Sequence, residues 1–259
     1  MYPYWLEIGS LRLPTFGPMV VLGFLAGHFF IKKELQRKGI DADLAGSIIT
    51  AGILGGLGGA KLYFVLFELS SQATWGEFFG AVFSGSGLTF YGGFVIGAAA
   101  VIWVVRRSGA PLGATADTLG IGLSIGYAIG RIGCQLAGDG DYGIPTDVPW
   151  GMAYPEGVVP TFQNVHPTPV YETLMGLATF GILWGTRKRI QTPGLSLFLY
   201  LIMTGLARFS VEFLRLNPKV LWGYTAAQTI SVILMLVGAG GVIYLRRRGA
   251  GGAAVGAGA

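Results

Sequence analysis

The sequence predicts an all-α, polytopic membrane protein of about seven transmembrane helices, and three observations carry that prediction. Only 12% of the 259 residues are charged and 52% are hydrophobic, too little charge to cover a water-facing surface of this size. Apolar stretches of spanning length recur at about 15–31, 45–67, 88–105, 113–136, 169–186, 194–214 and 225–245. The 44 glycines follow no Gly-X-Y period and lie inside those stretches, where small side chains let membrane helices approach closely.

Before the first span, MYPYWLEIGSLRLPTFG has no basic n-region and no small-residue cleavage site. It is expected to stay with the chain, its aromatics at the membrane interface, rather than to act as a cleaved signal peptide. Basic residues then set orientation. Lys32, Lys33, Arg37 and Lys38 fill the first connection, Arg106 and Arg107 the third, Arg187, Lys188 and Arg189 the fifth, and Arg246, Arg247 and Arg248 follow the last span. Twelve of the 18 basic residues thus sit on alternate connections, whereas 68–87 and 138–168 carry none. This places the N-terminus outside and the C-terminus inside.

The outer connection 138–168 is too long for a passive turn and holds Asp139, Asp141, Asp147 and Glu156 among glycines, prolines and aromatics, the marks of a functional loop. It closes in NVHPTPVYET, where Thr168 is the expected N-cap and Pro169 the first helical residue. Residues 1–248 are expected to form one transmembrane domain, and the Gly/Ala tail 249–259 to be disordered.

Lys61, Arg131 and Arg208 lie inside spans, where a cation must face the bundle interior. Arg131 falls about 8 Å and Arg208 about 9 Å below the outer helix ends at 1.5 Å per residue, and Lys61 sits at a similar level. With no matching anions evident around them, the three point to one anionic group held in the outer leaflet. Glu212, four residues after Arg208, shares its helix face and either neutralises it or aims it at a substrate. Arg215 and Lys219 only flank the outer end of the sixth span, and Asp117 reads as a structural carboxylate.

Other chemistries find no support. Cys134 is the single cysteine, so no intrachain disulfide forms, and two histidines with one cysteine make no zinc site. No HExxH, CxxC or P-loop occurs, and neither metal, nucleotide nor other cofactor is expected. The net charge of +5 marks topology, not a nucleic-acid partner.

GRIG at 130–133 with the Gly/Asp loop ending at Gly143, GLTFYGG at 87–93, HPTPVYE at 166–172, ARFSVEFLR at 207–215 and the AAQTIS opening of the seventh span together resemble the bacterial phosphatidylglycerol–prolipoprotein diacylglyceryl transferases over nearly the whole chain. The resemblance implies a multi-pass enzyme of the bacterial inner membrane, opening to the outer leaflet. It would move diacylglyceryl from phosphatidylglycerol to a lipobox cysteine of a prolipoprotein signal peptide, the first step of lipoprotein maturation. It implies catalytic roles for Arg131, Arg208, Glu212 and Tyr91, and substrate contacts by Arg131, Arg208, Lys61, Cys134, Asp139, Gly143, His166 and Phe16. Three positions depart from the family pattern: Tyr91 replaces a usual histidine, Cys134 an asparagine and Phe16 a tyrosine. The thiol proton could therefore pass to Tyr91, or through water to Glu212 or His166. A transporter or lipid-binding protein using the same cationic pocket, or an inactive relative, are the alternatives. No strong internal repeat favours the transporter.

Overall fold

A computed structural model of the chain describes residues 1–9, 11–68, 80, 90–221 and 223–256. Seven α-helices are present among them: α1 Phe16–Arg37, α2 Leu44–Tyr63 with a π-helical extension Phe64–Glu68, α3 Phe90–Arg107, α4 Leu112–Ala137, α5 Thr168–Thr186, α6 Leu195–Glu212 and α7 Ala226–Gly256. Each falls on one of the apolar stretches. Five helical segments are long and apolar enough to cross a membrane: Phe16–Arg37, Leu44–Phe67, Leu112–Ala137, Leu195–Glu212 and Ala226–Arg248. α3 carries Arg106 and Arg107 in its last turn, and α5 opens on Thr-Pro-Val-Tyr-Glu, which dilutes the apolar character of both.

The described residues, mostly helical, also include three small antiparallel hairpins that the helical periodicity does not announce. These are β1 Tyr4–Ile8 with β2 Leu11–Pro14, β3 Met152–Tyr154 with β4 Thr161–Val165, and β5 Lys219–Leu221 with β6 Tyr224–Thr225. Their strands of two to five residues are too short for a period-2 pattern to stand out.

The chain forms two compact units, one of Met1–Ile31 with Ala116–Ala259 and one of Lys32–Thr115. In the first, glycine faces bring helices together. A Cβ on Gly23 of α1 would stand 2.9 Å from the Gly126 carbonyl oxygen of α4, and one on Gly205 of α6 would stand 2.8 Å from the Ser231 carbonyl oxygen of α7. All three hairpins lie in this unit. Tyr142, Tyr154 and Val165 form a small core within the 138–168 connection, with the two tyrosine rings stacked at 5.1 Å. The N-terminal hairpin is tied to the end of α4 by the Tyr2 N–H, which donates to the Leu136 carbonyl at 3.0 Å.

Helix ends follow from local chemistry. The Asp117 carboxylate accepts the N–H groups of Gly194 at 3.1 Å and Leu197 at 3.2 Å, satisfying the start of α6, a structural role. Thr225 and Gln228 form a reciprocal capping box at α7, at 3.0 and 3.2 Å. α7 then runs past Arg248 to Gly256, into residues where composition predicts disorder. α5 begins one residue earlier than expected: Pro167 is the N-cap and Thr168 is already helical. The Thr168 hydroxyl donates to the Asp141 carbonyl instead of capping.

The second unit is built on α2 and α3, again through glycine. A Cβ on Gly55 would stand 2.9 Å from that of Ala100, and one on Gly93 would stand 2.8 Å from the Gly56 carbonyl oxygen. Lys61 and the backbone of Tyr91 belong to this unit. The Tyr91 side chain and residues 87–89 of GLTFYGG lie outside the described residues.

Candidate active site

Helical spacing assembles the site within the first unit. Tyr127, Arg131 and Cys134 fall at i, i+4 and i+7 on one face of α4, and Arg208 and Glu212 at i and i+4 on α6, with Arg215 in the turn beyond it. Glu172 comes from the second turn of α5 and Asp141 from the loop after α4.

Arg131, Arg208 and Arg215 converge on Glu172, whose side chain is only 2% exposed. Arg131 Nε stands 3.3 Å from Glu172 Oε2 and Arg215 Nη1 3.4 Å from the same oxygen, while Arg208 Nη1 pairs with Oε1. The Tyr127 hydroxyl also donates to Oε1, at 2.7 Å, and the Arg131 guanidinium lies 5.1 Å from the Tyr127 ring centre. Asp141 bridges two of the cations: Oδ1 accepts from Arg215 Nη2 at 2.5 Å, and Oδ2 accepts from Arg131 Nη1. Glu212 lies 2.9 Å from Arg208 Nη2 and accepts from Asn217 at 2.7 Å.

The expectation that these cations lack matching anions is therefore corrected. Three guanidiniums meet three carboxylates, Asp141, Glu172 and Glu212. The placement of Arg215 is corrected too. It is no flanking charge, because α6 ends at Glu212 and the next turn folds the arginine back into the cluster, where its side chain is 9% exposed. Glu172 and Arg215 are the residues sequence reasoning missed. Both lie in the quoted motifs HPTPVYE and ARFSVEFLR, but the charge of each reads as a helix-end charge until the loop brings α5 and α6 to α4.

The loop is fixed from several sides. Gly138 and Gly140 take positive φ values of 60° and 91°. Gly143 bridges Arg215, and its N–H donates to the His166 carbonyl at 2.8 Å, while the Ile144 N–H donates to the Leu214 carbonyl at 2.8 Å. A Cβ at Gly143 would collide with the Leu214 carbonyl oxygen. Asp139 accepts the Asp141 N–H at 3.2 Å. Burial pushes the Asp141 carboxyl up, but Arg131 and Arg215 outweigh it and hold the group below the usual carboxylate range.

Other expected site residues stand nearby in different ways. Cys134 Sγ is 3.7 Å from Arg131 Nη1. Phe16 opens α1, and its ring edge would lie 3.2 Å from a Cβ on Gly133. His166 Nδ1 pairs with the Tyr171 hydroxyl at 3.1 Å, and that hydroxyl accepts from Trp150 Nε1 at 2.7 Å, so the imidazole is engaged by α5 and the loop. Cys134, Asp139 and Asp141 could bring ligand atoms within 4.8 Å of one another. Both Asp141 oxygens are already paired with guanidiniums, whose charge opposes a metal cation. Below Glu172, a cavity of about 20 Å³ is lined by Ser124, Thr179, Tyr200 and Thr204, room for about one water. Chemically, the cluster is suited to presenting rigid, forked, always-charged donors to an oxyanion where little water reaches.

A family model described as prolipoprotein diacylglyceryl transferase matches residues 3–244. Among curated relatives, the phosphatidylglycerol–prolipoprotein diacylglyceryl transferase of Thermotoga maritima is 32% identical, covering 94% of this chain and 84% of the relative. Its namesakes in Geobacter sulfurreducens and Leptospira interrogans are each 30% identical, covering 96% and 87% of this chain and 97% and 86% of theirs.

Proposed function

Because the chain belongs to the prolipoprotein diacylglyceryl transferase family, we propose that its arginine cluster holds the phosphate of phosphatidylglycerol while the diacylglyceryl group passes to a prolipoprotein cysteine. The activity is that of a transferase at the first step of lipoprotein maturation. The acceptor is the lipobox cysteine of the signal peptide. Its sulfur attacks the glycerol carbon that bears the phosphate. The C–S bond forms as the C–O bond breaks, the electron pair leaves with glycerol phosphate, and the thiol proton goes to a base.

The observation that carries this reading is the convergence of Arg131, Arg208 and Arg215 on one buried point, at Glu172. Fixed guanidiniums stabilise the charge that develops on a leaving phosphate. The attacking species is the thiolate, whose parent thiol ordinarily has a pKa of about 8.5, so a base must take its proton. Glu212 orients Arg208, and Cys134, Asp139, Gly143 and Phe16 shape the wall around Arg131. Lys61, Tyr91 and His166 complete the substrate contacts, with Tyr91 as proton relay. The helices form seven spans of the inner membrane as one domain, with the N-terminus outside and the site opening to the outer leaflet.

The test is a purified assay with phosphatidylglycerol and a lipobox-cysteine peptide, thioether formation being read by mass spectrometry. Arg131→Ala abolishes product while membrane insertion persists; normal turnover in that variant overturns the phosphate-binding role. Tyr91→Phe addresses the relay, and unchanged activity removes the tyrosine from the mechanism. Complementation of a strain depleted of the transferase checks the activity in the cell.

A further inference from the structure

The cluster is already neutral before any substrate arrives, since three guanidiniums face three carboxylates. An incoming phosphodiester would leave four anions for three cations in a poorly hydrated site. An uncompensated buried charge is strongly unfavourable, so one carboxylate must surrender its contacts. The three carboxylates are not equivalent. The side chains of Glu172 and Glu212 are 2% and 0% exposed, and turning either away from its arginines would strand it among helices. The Asp141 side chain is 30% exposed and lies on a loop, so water can receive it.

The loop need not move for this to happen. The Asp141 carbonyl accepts from Arg215 Nη1 at 3.0 Å and from the Thr168 hydroxyl, and its N–H donates to Asp139 at 3.2 Å. The backbone is thus held independently of the carboxylate. The carboxylate gives one oxygen to Arg131 and the other to Arg215. A phosphodiester offers two non-bridging oxygens of the same charge and can make the same two contacts.

We propose that the Asp141 carboxylate is a resident competitor for the anion site: it occupies, between Arg131 and Arg215, the position that the lipid phosphate takes, and it turns to solvent when the phosphate binds. Asp141 is then an affinity-setting residue, whose removal tightens substrate binding. The competition also assists turnover, because the returning carboxylate helps expel glycerol phosphate. This inference rests on the phosphate-binding reading above.

The test uses the full-length enzyme in phosphatidylglycerol vesicles diluted with a neutral lipid, comparing wild type with Asp141→Asn, Asp141→Ala and Arg131→Ala. Asp141→Asn and Asp141→Ala lower the KM for phosphatidylglycerol by about tenfold and lower the inhibition constant for inorganic phosphate in parallel, the signature of a lost competitor. Asp141→Glu, which keeps a competing anion, retains the wild-type KM. Neither KM nor the inhibition constant depends on what fraction of a preparation is folded, so partial misfolding leaves the comparison intact. A raised or unchanged KM in both neutral variants, or complete loss of their activity, overturns the proposal. If Arg131→Ala itself keeps full activity and wild-type KM, the phosphate-binding reading fails. If Arg131→Ala is inactive while the Asp141 variants bind no tighter, only the competitor role fails.

Discussion

The Tyr127 hydroxyl donates to Glu172 Oε1 at 2.7 Å across α4 and α5, on the same oxygen that Arg208 reaches from α6. One carboxylate oxygen therefore joins three helices. The other oxygen takes Arg131 and Arg215, so Glu172 is the keystone of the cluster, and the arginines are held in place before substrate binds. A preorganised set of donors needs no rearrangement as charge develops.

Removing that keystone strands three cations at once. Glu172→Ala is expected to destabilise the protein by about 3–5 kcal/mol, the usual effect of breaking a buried ion pair from one side. Glu172→Gln keeps the shape and part of the hydrogen bonding and is expected to fold better, with transfer activity still impaired because the arginines lose their common anchor. Thermal unfolding in detergent alongside the transfer assay checks both. A wild-type melting profile for Glu172→Ala would remove the keystone role.

Arg215 makes a demand that lysine cannot meet. Its guanidinium reaches the Asp141 carboxylate at 2.5 Å, the Asp141 carbonyl at 3.0 Å and Glu172 at 3.4 Å, three directions from one planar group. A lysine is a point charge without the fork. Arg215→Lys is expected to lose activity nearly as fully as Arg215→Ala while inserting normally. Recovery of most of the activity by the lysine variant would show that charge alone suffices there.

How much of this was legible follows from where each signal resides. Helix positions are written in local apolar runs, and Arg131, Arg208 and Glu212 stand out because charge is scarce inside spans. Glu172 and Arg215 also stand in the sequence, but each sits near a helix end, where charge is ordinary. Only the fold of the 138–168 loop makes them interior. That fold depends on non-local contacts, such as the Gly143–Arg215 bridge, which separate residues by too long a stretch for any periodicity to register. The hairpins escaped for the complementary reason, being too short to carry a pattern.

Asp141 gives a pH dependence whose sign can be fixed. Its carboxyl is held below the ordinary range of about 3.9, so the folded state favours the ionised form. The stabilisation is fully present above the unfolded value and is lost as pH falls through the lower folded value. Wild type should therefore keep its advantage in melting temperature over Asp141→Asn from neutral pH down to about 4, lose it progressively below that, and converge with the variant only once the pH is below the folded-state pKa. Unfolding curves recorded across this acid range check it; a gap that stays constant to low pH would mean that the Asp141 charge does not contribute.

Two glycines close to Arg131 in sequence separate packing from conformation. A Cβ at Gly143 would run into the Leu214 carbonyl oxygen and stand 3.0 Å from both His166 Cβ and Thr168 Cγ2, whereas one at Gly130 would meet nothing within 4 Å. Gly143→Ala must push the loop away from the turn that carries Arg215, breaking the Ile144 to Leu214 hydrogen bond of 2.8 Å and withdrawing Asp141 from the cluster. Overpacking of this kind destabilises by about 1–3 kcal/mol, and here it also misaligns two of the site's charges. Gly130→Ala, within α4, only replaces a poor helix former and is expected to stabilise by up to about 1 kcal/mol with activity retained. Melting and transfer measured side by side separate the two effects. Equal behaviour of the two variants would mean that the close approach of the loop to Leu214 does not govern the site.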